Sequence, residues 1–290
     1  MEISEETKKQ LLGYQENEIT EYHIYRKLAA VQKNPGNRRI LEEIADDEKK
    51  HYEQWKAVTG REVAPRKLSV LKFYWICRIL GITFGLKLME RGEADAQEIY
   101  REVPEGLADV KSIIEDENDH ENLLVNMLDE ERLRYVGSVV LGLNDALVEL
   151  TGALAGLTLA LQNTRLIALT GSITGIAAAL SMAASEYLST RTGESGENPV
   201  KAAIYTGIAY IFTVVFLILP YLLFEGYYIA LCCTMVVVVL IIACFNYYVS
   251  VAKDLPFKRR FAEMAALSLG VAGLSFLVGF ALRKCWEIEV

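Results

Sequence analysis

The pattern of apolar and polar positions divides the chain into two regimes. After residue 134 five stretches run apolar for about 20 residues or more, enough to cross a bilayer as helices. They fall at 136–161, 166–190, 202–223, 227–250 and 261–282. Turn and charge signals stand between them in "QNTR", "RTGESGENPVK", "FEG" and "KDLPFKRR". Before that point charged residues are interspersed throughout, and the reading is four helices: 4–32, 37–58 after the break "KNPGN", a third ending near Arg101, and a fourth over 105–130. The predicted fold class is all-α, with a cytoplasmic four-helix domain over 1–131 followed by a membrane domain with five transmembrane helices over 132–290.

One segment fits neither regime. Residues 68–89, "LSVLKFYWICRILGITFGLKLM", are nearly apolar enough to span, but Lys72, Arg78 and Lys87 interrupt them. We read a basic, aromatic helix whose apolar face lies on the bilayer surface or against a second subunit.

Composition sharpens the division. The chain of 290 residues is 52% hydrophobic and 23% charged, an average over two unlike halves. A net charge of −8, carried mainly by the first half, argues against nucleic-acid partners and suits cation handling. Five cysteines without a C-x-x-C give neither a disulfide framework nor a zinc site; Cys232 and Cys233, inside an apolar run, read as buried packing. The polar start "MEISEETKKQ" shows no cleaved secretory signal. An odd number of spans puts the termini on opposite sides. Basic residues decide which side is which: Arg132, Arg134, Arg191, Lys201, Lys253, Lys258, Arg259 and Arg260 flank one side, against Arg165, Arg283 and Lys284 on the other. The N-terminal domain is therefore expected in the cytoplasm.

The chemistry of the first half lies in two copies of one spacing. "DDEKKH" holds Glu48-x-x-His51 and "EDENDHE" holds Glu117-x-x-His120, two of only three histidines in the chain. Residues at i and i+3 sit about 60° apart on a helix, so both side chains reach one point, as a metal ion requires. One such pair arises readily on a solvated Glu-rich face. Two pairs, with a Glu on each of two further helices, match the plan of a di-iron carboxylate centre in a four-helix bundle. Glu18 in "ENEITEYHIY" and Glu90 and Glu93 in "ERGEADAQEIY" supply those positions. On these motifs the first half resembles ferritin-like, rubrerythrin-type domains. The resemblance implies that Glu18, Glu48, His51, Glu93, Glu117 and His120 hold two irons, with Glu90 as a further ligand. Tyr25 and Tyr100 stand where such domains keep tyrosines, although packing explains them equally well; His23 reads as a surface residue.

In the second half, Asp145 and Glu149 of "GLNDALVELTG" lie four residues apart in the first span, and Glu186 of "SMAASEYLST" lies in the second. A carboxylate in hydrocarbon costs several kcal/mol, so it is kept where it faces a cavity, an ion path or a partner. Met182, one turn before Glu186, adds a thioether suited to transition metals. These two spans resemble the vacuolar iron transporter family, and the whole chain resembles its ferritin-like fusions. The resemblance implies a five-helix homodimer that exchanges Fe2+ or Mn2+ for protons, with Asp145, Glu149, Met182 and Glu186 lining the path. A short "RTGESGENPVK" stands where plant members carry a metal-binding insert between spans two and three. Small-residue motifs at Gly152/Gly156 and Gly171/Gly175 permit close helix packing or dimerisation.

The sequence thus reads as a transporter exporting Fe2+ or Mn2+ by proton antiport, with a di-iron domain that captures or senses iron and with divalent metals, protons and the lipid bilayer as partners. The alternative is a membrane-anchored di-iron oxidase or peroxidase. It leaves Asp145 and Glu149 without a role.

Overall fold

The computed structural model describes residues 5–91, 112–113, 116–117, 119–120, 134–193 and 196–286. The chain divides into two compact units, Met1–Glu130 and Glu131–Val290. The described residues form nine helices and no strand.

In the first unit α1 (Glu5–Val31) and α2 (Pro35–Thr59) form an antiparallel hairpin. Asn34 caps α2 by accepting from the backbone N–H groups of Gly36 and Asn37, and Pro35 opens its first turn. Gly60 closes α2 at φ 66°, the left-handed conformation that favours glycine. The facing stripes of the hairpin, Ile24, Tyr25, Leu28 and Ala29 against Ile40, Leu41, Ile44 and Ala45, are buried together. Tyr25 is therefore a core residue, and His23 is exposed.

The segment expected as one helix over 68–89 is two: α3 (Lys67–Leu80) and α4 (Ile82–Arg91). Gly81, at φ 107°, takes a backbone conformation unsuited to other residues and ends α3. Gly85 lets the two helices close up, since a Cβ there would lie 2.3 Å from Cys77 Sγ. Val70 and Cys77 of α3 and Leu86 and Met89 of α4 join the core of the hairpin. Of the remaining expected helices, residues 112–113, 116–117 and 119–120 are helical. Glu93 and Tyr100 lie outside the described residues.

The second unit contains α5 (Val136–Leu161), α6 (Thr164–Thr192), α7 (Pro199–Leu223), α8 (Tyr227–Lys253) and α9 (Phe257–Trp286). Each is long and apolar enough to cross a membrane. Asparagine caps set two of the starts: Asn163 accepts from Arg165 and Leu166 N–H, and Asn198 from Val200 and Lys201 N–H. The first span, α5, is the most enclosed and packs against all four others.

Small residues bring the backbones together. A Cβ at Gly142 would lie 2.4 Å from the Thr206 carbonyl oxygen of α7, and one at Gly279 of α9 would lie 2.4 Å from that of Gly156. Gly152 and Gly156 face Ser275 of α9, while Gly171 faces Leu154 and Ile218 and Gly175 faces Val214. Both small-residue motifs thus serve packing within one chain. Cys232 is exposed and Cys233 half-buried rather than buried as expected. The inward stripe of α8 is Ala230, Thr234, Val238, Ile242 and Asn246, and a residue two places from that stripe points about 200° away.

Candidate metal centre and membrane carboxylates

The buried face of α2 reads Leu41, Ile44, Ala45, then Glu48, His51, Tyr52 and Trp55. Core positions therefore switch from apolar to ligating residues without leaving the inward stripe. On α1 the same happens at Glu18, which is 3% exposed; Glu48 and His51 are 1% exposed and His120 3%. Glu18, Glu48, His51 and Glu117 each offer one ligand atom within 4.8 Å of all the others. His51 Nδ1 lies 3.6 Å from Glu18, 3.6 Å from Glu48 and 3.7 Å from Glu117. His120 Nδ1 lies 3.4 Å from the other oxygen of Glu48. Glu48 thus turns one oxygen to each imidazole, the disposition of a carboxylate that can bridge two cations.

The outer contacts are reciprocal. His51 Nε2 pairs with Asp116 at 3.1 Å, and His120 Nε2 pairs with Asp47 at 3.2 Å. Each histidine on one helix is oriented by the aspartate that precedes the Glu-x-x-His of the other, which leaves both Nδ1 atoms turned inward. Trp55 Nε1 donates to Glu18 at 3.1 Å and fixes the α1 carboxylate. Asp47, Asp116 and Trp55 did not emerge from the sequence reading. The two aspartates had a signal, the doubled D-E-x-x-H in "DDEKKH" and "EDENDHE"; the tryptophan had none beyond its place four residues after His51.

Burial and mutual charge set the electrostatics of this cluster. Burial pulls the His51 imidazolium toward neutrality, but the Glu18 and Glu48 carboxylates outweigh it and push its pKa up to about 11. Burial, reinforced by Glu18, raises the Glu48 carboxyl well above the usual range, against the opposing pull of His51. The Asp47 carboxyl is raised by its partial burial but lowered more by Lys50 and His120, so it stays below its ordinary value. His51 is therefore protonated at neutral pH while no metal is bound. Glu48 Oε2, His51 Nδ1 and His120 Nδ1 are buried without a hydrogen-bond partner. Buried atoms of that kind, aimed at one point and of nitrogen and carboxylate type, fit iron or a similar divalent metal. Glu90 belongs to the last turn of α4.

In the second unit the expected path residues separate along the first span. Glu186 of α6 accepts from Ser138 Oγ at 2.6 Å, near the start of α5. Asp145 lies about 14 Å along α5 and Glu149 about 20 Å, at 1.5 Å per residue. Glu149 accepts from the Tyr210 hydroxyl of α7 at 3.1 Å. Asp145 is half-buried and Glu149 exposed, on a face that also carries exposed Gly137 and Leu141. Met182 packs against the core of the unit. Ser138 and Tyr210 also escaped the sequence reading. Ser138 stands seven and eleven residues before the two acids and shares their stripe, whereas nothing distinguished Tyr210 among 15 tyrosines.

Comparison with known proteins bears on this unit. A model of the VIT family matches residues 136–195 and 191–280, which together are half of the chain and take in α5 to α8 and most of α9. No curated protein and no solved structure matches. The chain therefore belongs to the VIT family, as a multi-pass membrane protein whose second unit is that of a metal-ion transporter.

Proposed function

We propose that the second unit exports Fe2+ or Mn2+ from the cytoplasm in exchange for protons, and that it works as a homodimer. The observation that carries this reading is the open face of α5. Asp145 and Glu149 lie deep within a membrane span, yet one chain leaves Glu149 exposed. A carboxylate at that depth is costly against lipid and is retained where it meets a water-filled path or a partner subunit. A face shared by two copies around a metal path meets both conditions. Glu186, Asp145 and Glu149 then offer oxygen ligands at successive depths, oriented by Ser138 and Tyr210, with Met182 as the soft donor. Carboxylates bind a divalent metal when deprotonated, so each site that loads metal releases protons and each site that unloads takes them back. The excess of basic residues on the N-terminal side of the spans supports a cytoplasmic first unit.

The first unit, on this reading, is a ferritin-like four-helix bundle with a di-iron centre. Glu18, Glu48, His51, Glu117 and His120 hold the metals, completed by Glu90 and Glu93. When bound, such a centre supplies redox and Lewis-acid chemistry. The residues of the chain bind the metals, fix their positions through Asp47, Asp116 and Trp55, and keep water out. Its role is to capture or sense iron for the transporter. The same cluster favours the second reading, an anchored di-iron oxidase or peroxidase, in which the spans move no metal.

Proteoliposomes with an acidic lumen separate the two. The transporter accumulates Fe2+ inside while protons leave, and a proton ionophore abolishes the uptake. Vesicles that oxidise Fe2+ at their surface yet accumulate none support the anchored enzyme.

A further inference from the structure

Helix α3 is apolar on two opposite faces, and among the described residues of the first unit only one of them is buried. Val70 and Cys77 are buried against the α1–α2 hairpin, with Phe73 and Tyr74 packed beside them. On the other side Leu68, Leu71, Trp75 and Ile79 form a stripe at i, i+3, i+7 and i+11, about 80° wide. Leu68 is 84% exposed, Trp75 53% and Ile79 63%. Large side chains aligned in this way mark an interaction surface. Lys72 borders the stripe on one side and Arg78 and Lys67 on the other, all exposed. The fourteen residues of α3 contain no acidic side chain, although the chain as a whole carries a net charge of −8.

Charge, length and setting together select the occupant. At 14 residues α3 is about 21 Å long, too short to span the hydrocarbon, and Gly81 ends it. A short helix with an apolar stripe, a tryptophan and basic borders is suited to lie in the plane of a membrane interface. The basic borders complement anionic headgroups, and the five spans of the same chain tether the first unit near a bilayer. A second copy of this unit would instead set Lys67, Lys72 and Arg78 against their own counterparts. We propose that α3 docks the first unit onto an anionic lipid surface through Leu68, Leu71, Trp75 and Ile79. This inference rests on the membrane spans and not on metal transport, so either can fail alone.

The test uses the full chain in vesicles of phosphatidylcholine with phosphatidylglycerol. The emission of Trp75 is obtained as the difference between the wild-type protein and Trp75→Phe. It should be blue-shifted and should lose most of its intensity when the acyl chains are brominated. Replacing phosphatidylglycerol with neutral lipid, or combining Lys67→Glu, Lys72→Glu and Arg78→Glu, should restore most of that intensity. A Trp75 signal insensitive to brominated lipid overturns the proposal, in two recognisable ways. Shielding from aqueous acrylamide would place α3 between two copies, and quenching by acrylamide would leave it in water. Bromine quenching that survives both neutral lipid and charge reversal would overturn the anionic assignment.

Discussion

Glu48 shows most directly how single residues shape the candidate centre. Its two oxygens face two different imidazoles, His51 and His120, at 3.6 and 3.4 Å. Both inner nitrogens lack a hydrogen-bond partner, and the outer ones are engaged by Asp116 and Asp47. Because His51 is held protonated up to about 11, metal must displace its imidazolium proton to bind. A pKa raised to about 11 means that the His51 proton is present at neutral pH and competes less as pH rises. Metal affinity should therefore increase from pH 6 to pH 8, about tenfold per unit for each proton displaced. Titration calorimetry in two buffers of different ionisation heat measures the release directly, and binding without proton release would contradict the account.

The outer contacts carry a second expectation. Asp116→Asn and Asp47→Asn keep the shape but weaken the orienting charge, and should each lower metal affinity about 10- to 100-fold. His51→Ala with His120→Ala removes both nitrogen ligands and should abolish tight binding in the full chain. Metal content after desalting, by elemental analysis, checks both; a double mutant that keeps two irons per chain sinks the ligand assignment. The spacing Glu-x-x-His made the inner residues legible, because a one-turn separation fixes where two side chains meet. The aspartates were legible only as a repeated motif, since their role depends on which helix faces which.

At the scale of elements, the spans were legible because length and apolarity are sufficient to define them. Every expected span corresponds to one helix, and the structure extends four of them by two to four residues at one end or both, where charged residues such as Arg191, Lys201, Lys253 and Lys258 hide the helix from a hydropathy pattern. The segment 68–89 was misread as continuous because hydropathy gives no weight to Gly81, whose φ of 107° ends the helix. Small-residue motifs showed that helices approach closely, but not which ones. The contact at Gly142 now makes a direct test. A Cβ there would lie 2.4 Å from a backbone oxygen of α7, which cannot rotate away, whereas a Cβ at Gly137 meets nothing within 4 Å. Gly142→Ala should cost about 1–3 kcal/mol through forced separation of α5 and α7, while Gly137→Ala should be neutral or slightly stabilising. Thermal unfolding in detergent compares the two, and equal melting temperatures would contradict the packing.

At the scale of the whole molecule, the topology we propose puts the two termini on opposite sides of five spans, with the N-terminus on the side richer in basic residues, the cytoplasm. In cells, an impermeant maleimide should label Cys285, exposed near the end of α9, without permeabilisation. An N-terminal tag should become accessible only after permeabilisation. Labelling of both from one side would remove the five-span topology. The division of labour between the units is the larger claim, and it turns on Asp145. This acid lies about a third of the way along α5, one turn from Glu149, on the face that a single chain leaves open. Asp145→Asn preserves its size and removes its charge and its proton.

Metal-coupled proton movement in proteoliposomes, wild type against Asp145→Asn, with iron binding by the Glu48 and His51 cluster followed in the same preparation, is the measurement that decides. The variant should lose Fe2+ accumulation and proton exit while its first unit binds iron as before. Normal Fe2+ accumulation by Asp145→Asn would contradict that division of labour.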